Sequence, residues 1–496
     1  FYYLFTSSQK SLLLTFMVRI KNLFYILLLI AVLSFCSTSS NPELPNSFNN
    51  CQVSLENAVD ELQKIKDDYN LNFEFRIVRE VTDRDECIDK ILGTNLDQGS
   101  ELQNGLLVDL VVGVKQNELT ESVQNSEYSL YLNQLKEKEI ENLNLIDSQI
   151  FGDASINQIL DGQNLITYIK SDNPLNYKFV FSEAEGIIYG LDVNNRIDTL
   201  LDISDRVLRD REAGLHTFDF LTIESDVYLV LTYTGIDSRY KMSAFAIDSS
   251  SNFGPEQVIV SFELVTSNTV HFGGKIIQND SHFLLCLGDL NSPGNSAKFD
   301  SAWGKIVKFK TNNLIENPIT SFDDKRLDYI AYGFRNPWSC FLKDNNLIVP
   351  DVGNSHWEEI NLIKNYQSII EPKFFGWPWF ESFFDANYKS TPVDEEIKQE
   401  QINNTIFPEY LYPHGNGFCA IIGGTNISGS QKWDSYFFVG DFCTGTIWAI
   451  NVENQSNIIV LDREKLPYSI TTINDSGNGT LLIGTTSGQV LEIILP

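Results

Sequence analysis

From about residue 175 the chain is a succession of short apolar runs, at 227–233, 242–247, 257–264, 283–287, 305–310, 346–349, 436–439 and 480–484, each broken by Gly, Asn, Asp or Ser. Runs this short, closed by turn residues and without helical spacing, have one stable use: they are strands of an all-β propeller, barrel or sandwich. The chain is long enough to build such a body and more. It has 496 residues, 43% of them hydrophobic and 21% charged, which supports a large core and two or three domains.

The first third reads differently. Residues 54–69 place Leu55, Val59, Leu62 and Ile65 on one helical stripe, 72–78 and 106–114 read as strands, and the Glu- and Lys-rich 127–141 as another helix. Residues 37–150 are therefore expected to form a small α/β extension of unassigned role, entered through a flexible Pro- and Asn-containing linker at 41–50. Ahead of it, Met17, Arg19 and Lys21 precede an apolar run at 23–35 that ends in small polar residues, which is a signal-peptide pattern. Translation is expected to begin at Met17, so residues 1–36 divide into an untranslated leader and a signal. The run is shorter than the ~20 apolar residues a spanning helix requires, so no permanent membrane span is expected. Leu33-Ser34-Phe35-Cys36 loosely resembles a bacterial lipoprotein site, but Phe35 stands where a small residue belongs, and simple export to a secreted or periplasmic destination is preferred to lipid anchoring at Cys36.

A net charge of −30 argues against nucleic acid as a partner, because phosphates demand clustered Lys and Arg. Neutral sugars and bound cations remain compatible with it. Without Cys36 there are six cysteines, an even number that suggests disulfides in an exported chain. Cys51 with Cys87 is a favoured pair; Cys286 reads equally as a buried thiol or as the partner of Cys340.

Chemistry concentrates in two neighbouring loops, Tyr332-Gly333-Phe334-Arg335-Asn336-Pro337-Trp338 and Asp351-Val352-Gly353-Asn354-Ser355-His356-Trp357-Glu358-Glu359. Arg335 offers a planar fork of donors, Asn336 a donor and an acceptor, and Pro337 keeps the residue before it extended. Gly353 permits a turn tight enough for carbonyls to face outward, and hard cations such as calcium bind carbonyl and carboxylate oxygens. Asp351, Glu358 and Glu359 could add carboxylates, although acidic residues in so negative a chain are usually solvated. His271 precedes a Gly-Gly turn that would bring backbone close to a ligand; a histidine simply bonded within that turn is the plainer reading. Trp338, Trp357, Trp377 and Trp379 suit either a pocket wall or packing between blades.

These motifs are collinear with a known family. The chain resembles the soluble glucose/sorbosone dehydrogenases, six-bladed β-propellers that use pyrroloquinoline quinone (PQQ) and calcium. The resemblance rests on Phe179-Val180-Phe181-Ser182-Glu183, Arg211-Glu212-Ala213-Gly214-Leu215, His271-Phe272-Gly273-Gly274, Leu287-Gly288-Asp289, Trp303-Gly304-Lys305, the Arg-Asn-Pro loop, Phe375-Gly376-Trp377-Pro378, Ile422-Gly423-Gly424 and Gly440-Asp441-Phe442-Cys443. It implies a propeller over 151–496. It further implies His271 as the base that takes a sugar hydroxyl proton, Arg335, Asn336 and Trp338 at PQQ, and Gly353, Asn354 and Glu359 at calcium. A small sugar would be the substrate and an external electron acceptor the partner. Pairing of Cys419 with Cys443 is also implied by the family.

The resemblance has departures. Val270 stands where the family often has an acid, so an orienting carboxylate for His271 must come from elsewhere or be absent. Cys443 aligns with a lysine that clamps the cofactor's carboxylates, and no arginine falls near 466–472. Two or three lost charge-assisted contacts, about 1.5–3 kcal/mol each, would weaken PQQ binding by orders of magnitude. Lys305 and Lys465 are the available substitutes. A second reading follows, a non-catalytic propeller that binds carbohydrate or protein, as in the Hedgehog-interacting branch. The enzyme reading requires His271, Arg335 and Gly353 to converge on one open pocket near the propeller axis, with His271 neither buried nor turned away.

Overall fold

The computed structural model describes residues 42–496, apart from residues 70, 72, 82–83, 95, 97–98, 104–106, 115–144, 146–147, 151–153, 224–225, 265–268, 280–281, 311–316, 387–392, 416, 452–455 and 462–468. The signal, the lipoprotein-like Cys36, the 127–141 helix and Lys465 lie outside the described residues. The chain divides into two compact units, residues 1–124 and 125–496.

In the first unit the helix Leu55–Tyr69 packs its apolar stripe on a three-stranded sheet. Leu107–Val114 is central, parallel to Glu74–Val81 and antiparallel to Ile91–Thr94. The expected linker at 41–50 is instead part of this core. Leu44 and Phe48 are each 2% exposed, and the Leu44 N–H donates to the Ser100 carbonyl. Two large apolar side chains supply enough buried surface to fix a segment whose Pro and Asn content reads as loop. Cys51 is bonded to Cys87.

The second unit is a six-bladed β-propeller. Blade 1 runs Ile166–Lys170, Phe179–Glu183, Ile187–Leu191, Ile197–Asp202, and blade 2 covers Leu215–Glu263 in four antiparallel strands. Blade 3 spans Gly273–Tyr332, blade 4 Phe341–Pro413 and blade 5 Ile421–Leu461. Blade 6 takes three strands from Ile470–Ile494 and its outermost from Ser155–Leu160, registered Ile156↔Ile493. Both ends of the unit thus close the ring. Gln149–Ile150 adds a parallel fifth strand to blade 5, and Lys373–Phe374 does the same to blade 3.

The apolar runs are explained by this architecture. The middle strands, such as Phe179–Glu183, Phe437–Asp441 and Leu481–Thr485, are buried at every position because each face meets a neighbouring blade. The outer strand Ile197–Asp202 has no fully buried residue, and Thr199 and Asp202 are exposed, because its far edge has no neighbouring strand in the blade. Antiparallel order also puts two kinds of connection at the same end of every blade: the loop into the innermost strand and the turn from second to third strand. That end carries the candidate residues.

Candidate active site

Five connections bring the site together. Glu212 lies on the loop entering blade 2, His271 on that entering blade 3, and Arg335, Asn336 and Trp338 on that entering blade 4. Asp289 and the Gly353-Asn354 pair lie just after second strands of blades 3 and 4.

His271 adopts a left-handed backbone, φ 61°, and its N–H donates to Glu212 Oε2 at 2.7 Å. Its Nδ1 sits 2.7 Å from Asp289 Oδ1. The Asp289 carboxylate is fully buried and receives two further N–H groups, from the Asn291 backbone at 2.7 Å and from Trp377 Nε1 at 2.9 Å. Segment Phe375–Trp377 reaches it by pairing along blade 3, with Phe375 N–H on the Tyr332 carbonyl and Trp377 N–H on the Gly333 carbonyl. Close approach is enforced at Gly288, where a Cβ would stand 2.2 Å from the His271 carbonyl oxygen. The orienting carboxylate absent at Val270 is therefore Asp289, eighteen residues on. The Leu-Gly-Asp motif held the signal, but nothing in the sequence aimed it at His271.

A carboxylate on Nδ1 fixes one tautomer and leaves Nε2 as the basic nitrogen. No described residue is hydrogen-bonded to Nε2.

Arg335 and Asn336 are held by their backbones. Asp351 Oδ2 accepts the Arg335 N–H at 2.9 Å and Oδ1 the Asn336 N–H at 2.7 Å. Burial pushes the Asp351 carboxyl up to about 7, against the pull of those two N–H groups. The Arg335 guanidinium donates to the Val352 carbonyl at 3.1 Å and Asn354 Oδ1 at 3.4 Å, and lies 5.8 Å from the Trp377 ring centroid. None of the described carboxylates pairs with it. Asn336 Nδ2 reaches Glu212 Oε2 at 3.5 Å, while its Oδ1 is buried without a partner among the described residues. A buried orphan acceptor beside an uncompensated guanidinium fits a ligand carrying both donors and negative charge.

The Gly353 turn is built around Glu381, which the sequence did not single out. Glu381 Oε1 accepts the N–H groups of Asn354, Ser355, His356 and Trp357 at 2.8–3.0 Å. Burial alone would raise this carboxyl, but His356 and those N–H groups hold it down at about 2. In a trans peptide the carbonyl points opposite the following N–H, so the Gly353 and Asn354 carbonyls face away from Glu381. No described donor is bonded to either oxygen. A Cβ at Gly353 would lie 1.6 Å from the Trp357 carbonyl, so only glycine closes this turn. The two carbonyls fit a hard cation; among the described residues no cluster of three or more His, Cys, Asp or Glu is arranged for a metal.

Other expected residues are placed elsewhere. Glu359 bonds Ser382 N–H and the Asn361 amide rather than standing at the Gly353 turn, and burial, with Asp351 nearby, pushes its carboxyl well up. Glu358 accepts from Gly353 N–H and Ile421 N–H and pairs with His414. Trp338 donates Nε1 to the Thr471 carbonyl and faces a cavity. Lys305 cannot replace a clamp lysine: fully buried, it donates to the Asn295 and Trp303 carbonyls, and burial lowers its pKa to about 7. Cys443 is disulfide-bonded to Cys419, and Cys286 to Cys340.

His271, Arg335 and the Gly353 turn thus meet in one hydrogen-bonded network, but not in one open hollow. His271 is 7% exposed. A cavity of about 210 Å³ lies beside the network and touches it through Glu212, Gly273 and Trp338. The expected open pocket with an unburied His271 is therefore not found, which counts toward the non-catalytic reading; what the enzyme reading retains is an Nε2 with no hydrogen-bond partner among the described residues.

Comparison with known proteins gives the family of the propeller. Residues 174–492 match the model of the Glucose / Sorbosone dehydrogenase family. The chain belongs to that family. Its propeller is similar to the PQQ-bound form of aldose sugar dehydrogenase from Streptomyces coelicolor, at a TM-score of 0.54 and 17% identity, covering 70% of this chain and 100% of that one. It is also similar to the soluble aldose sugar dehydrogenase of Escherichia coli in its apo form, at a TM-score of 0.54 and 16% identity over 69% of this chain and 100% of that one. At such identities the likeness is one of fold. A curated relative, the HIPL2 protein of Arabidopsis thaliana, is 22% identical over 231 residues, 45% of this chain and 30% of that protein. The chain spans about a third of that relative's length.

Proposed function

We propose that this chain oxidises an aldose or related sugar at its anomeric carbon, using PQQ and calcium, after export. The carrying observation is the His271–Asp289 contact at 2.7 Å, with Nε2 unbonded to any described residue. His271 Nε2 takes the proton of the sugar hydroxyl. Asp289 keeps the other nitrogen protonated and offsets the charge that appears on the ring. PQQ, when bound, supplies the two-electron acceptor for the hydride of the sugar carbon, and an external electron acceptor closes the cycle. The Arg335 fork and the orphan Asn336 Oδ1 would hold the quinone, and the Gly353 and Asn354 carbonyls would hold calcium, which adds positive charge beside it.

Three disulfides support export to an oxidising compartment. No helix among the described residues is long and apolar enough to cross a membrane.

The test is reconstitution. Purified protein given PQQ will reduce a dye when an aldose is added, with turnover that requires calcium. A second reading, a non-catalytic propeller binding carbohydrate or protein, is favoured by the disulfide at Cys443 and the burial of Lys305 away from the site. Failure to bind PQQ at micromolar concentration would select it.

A further inference from the structure

The cavity beside the network has a wall whose charges do not balance. Its lining includes Arg209, Arg211, His216 and Lys275, with Glu212 the one carboxylate among the described lining residues. Glu212 accepts the His271 N–H and the Asn336 amide on Oε2; it keeps its charge, but one carboxylate does not balance three cationic side chains and it is not ion-paired with Lys275. Arg209 is paired with Glu185 at 3.4 Å and donates to the Arg211 and Ala213 carbonyls. Arg211 is exposed at the rim, where solvent screening leaves a single contact little weight. His216 carries no charge at neutral pH, because burial pushes it down to about 3.

Lys275 is the exception. It stands on the innermost strand of blade 3, half-buried, two residues beyond Gly273. Its Nζ lies 3.5 Å from the ring centroid of Tyr168, on the innermost strand of blade 1. No described carboxylate is paired with it, in a chain where 66 acidic residues face 36 basic ones and the nearby Lys170 has Asp219 at 2.7 Å. A half-buried ammonium has lost part of its hydration, and an aromatic face returns only some of it. An anion in the cavity would supply the rest. The other walls agree in position: Phe442, next to the disulfide-bonded Cys443, and Thr471 and Thr472 line the same space and carry no charge.

We propose that Lys275 receives a carboxylate of the quinone cofactor, so that the charge compensation missing around Cys443 and 466–472 comes from the opposite side of the ring sequence, on blade 3. The assignment rests on the quinoprotein reading and deepens it, and the two can fail separately. Equilibrium titration of the full chain with PQQ in calcium buffer, followed by quenching of tryptophan fluorescence, would compare wild type, Lys275→Met, Lys275→Gln and Lys275→Arg. The same titration with the PQQ trimethyl ester removes the ligand's charge. Unaltered melting curves would verify that the variants fold, and the two neutral variants guard against failure of either.

The expected result is a Kd for PQQ raised about 10- to 100-fold in the neutral variants, largely restored by Lys275→Arg, with ester affinity unchanged throughout. Neutral variants that bind PQQ as tightly as wild type, or that lose acid and ester alike, overturn the role of Lys275. A wild type that binds neither compound overturns the quinoprotein reading, and this assignment with it.

Discussion

At the residue scale the decisive feature is a histidine whose Nδ1 is held by a carboxylate eighteen residues on, the arrangement behind the proposal that His271 acts as a base. Asp289→Asn keeps the shape of the contact but not its charge, and the expected outcome is a kcat lower by about 10²–10⁴-fold with little change in PQQ affinity, read by steady-state kinetics beside a binding titration. His216 gives a pH prediction free of the chemistry. Its pKa is depressed to about 3 by burial, so below about 6.5 the unfolded chain binds a proton that the folded chain refuses, and stability falls as pH drops through that window toward 3. His216→Gln should flatten this part of the pH dependence, measured by urea unfolding between pH 7 and 4. The residues that the sequence singled out and the fold brings into one network were those whose type stands out: a rare histidine before two glycines, an Arg-Asn-Pro loop, a glycine in a tight turn. Asp289 and Glu381 were not legible as partners, because a carboxylate's role depends on which donors surround it. Glu381 draws four N–H groups from a loop 24–27 residues away, and no local pattern records that.

At the element scale the turn-punctuated apolar runs were readable as strands because blade-to-blade packing buries the middle strands on both faces. The 41–50 segment was misread as a linker because Pro and Asn mark loops whether or not the apolar residues between them are buried. The Cys286–Cys340 bond, left open by the sequence, joins a strand of blade 3 to the entry of blade 4 across 54 residues. Replacing both cysteines by alanine is expected to lower the unfolding free energy by about 3–4 kcal/mol, measured by urea denaturation under oxidising conditions. Equal stability with and without the bond would mean that blade packing alone fixes this junction.

At the scale of the whole molecule, closure of the ring by strands from both ends makes blade 6 the seam of the propeller. Native-state hydrogen exchange should find Ser155–Leu160 and Val490–Ile494 protected to the same extent, as one cooperative unit; early exchange of Ser155–Leu160 alone would show a ring that opens. The ring matters because the site is assembled from loops of blades 2, 3 and 4, which only a closed propeller holds in register. Within that site His271 is proposed to accept the sugar's proton. The most direct measurement is single-turnover reduction of bound quinone by an aldose, followed by absorbance, in wild type and His271→Ala loaded with PQQ and calcium. The predicted result is rapid reduction in wild type and reduction at least about 100-fold slower in His271→Ala, with PQQ bound equally well. Equal rates in the two proteins would contradict it.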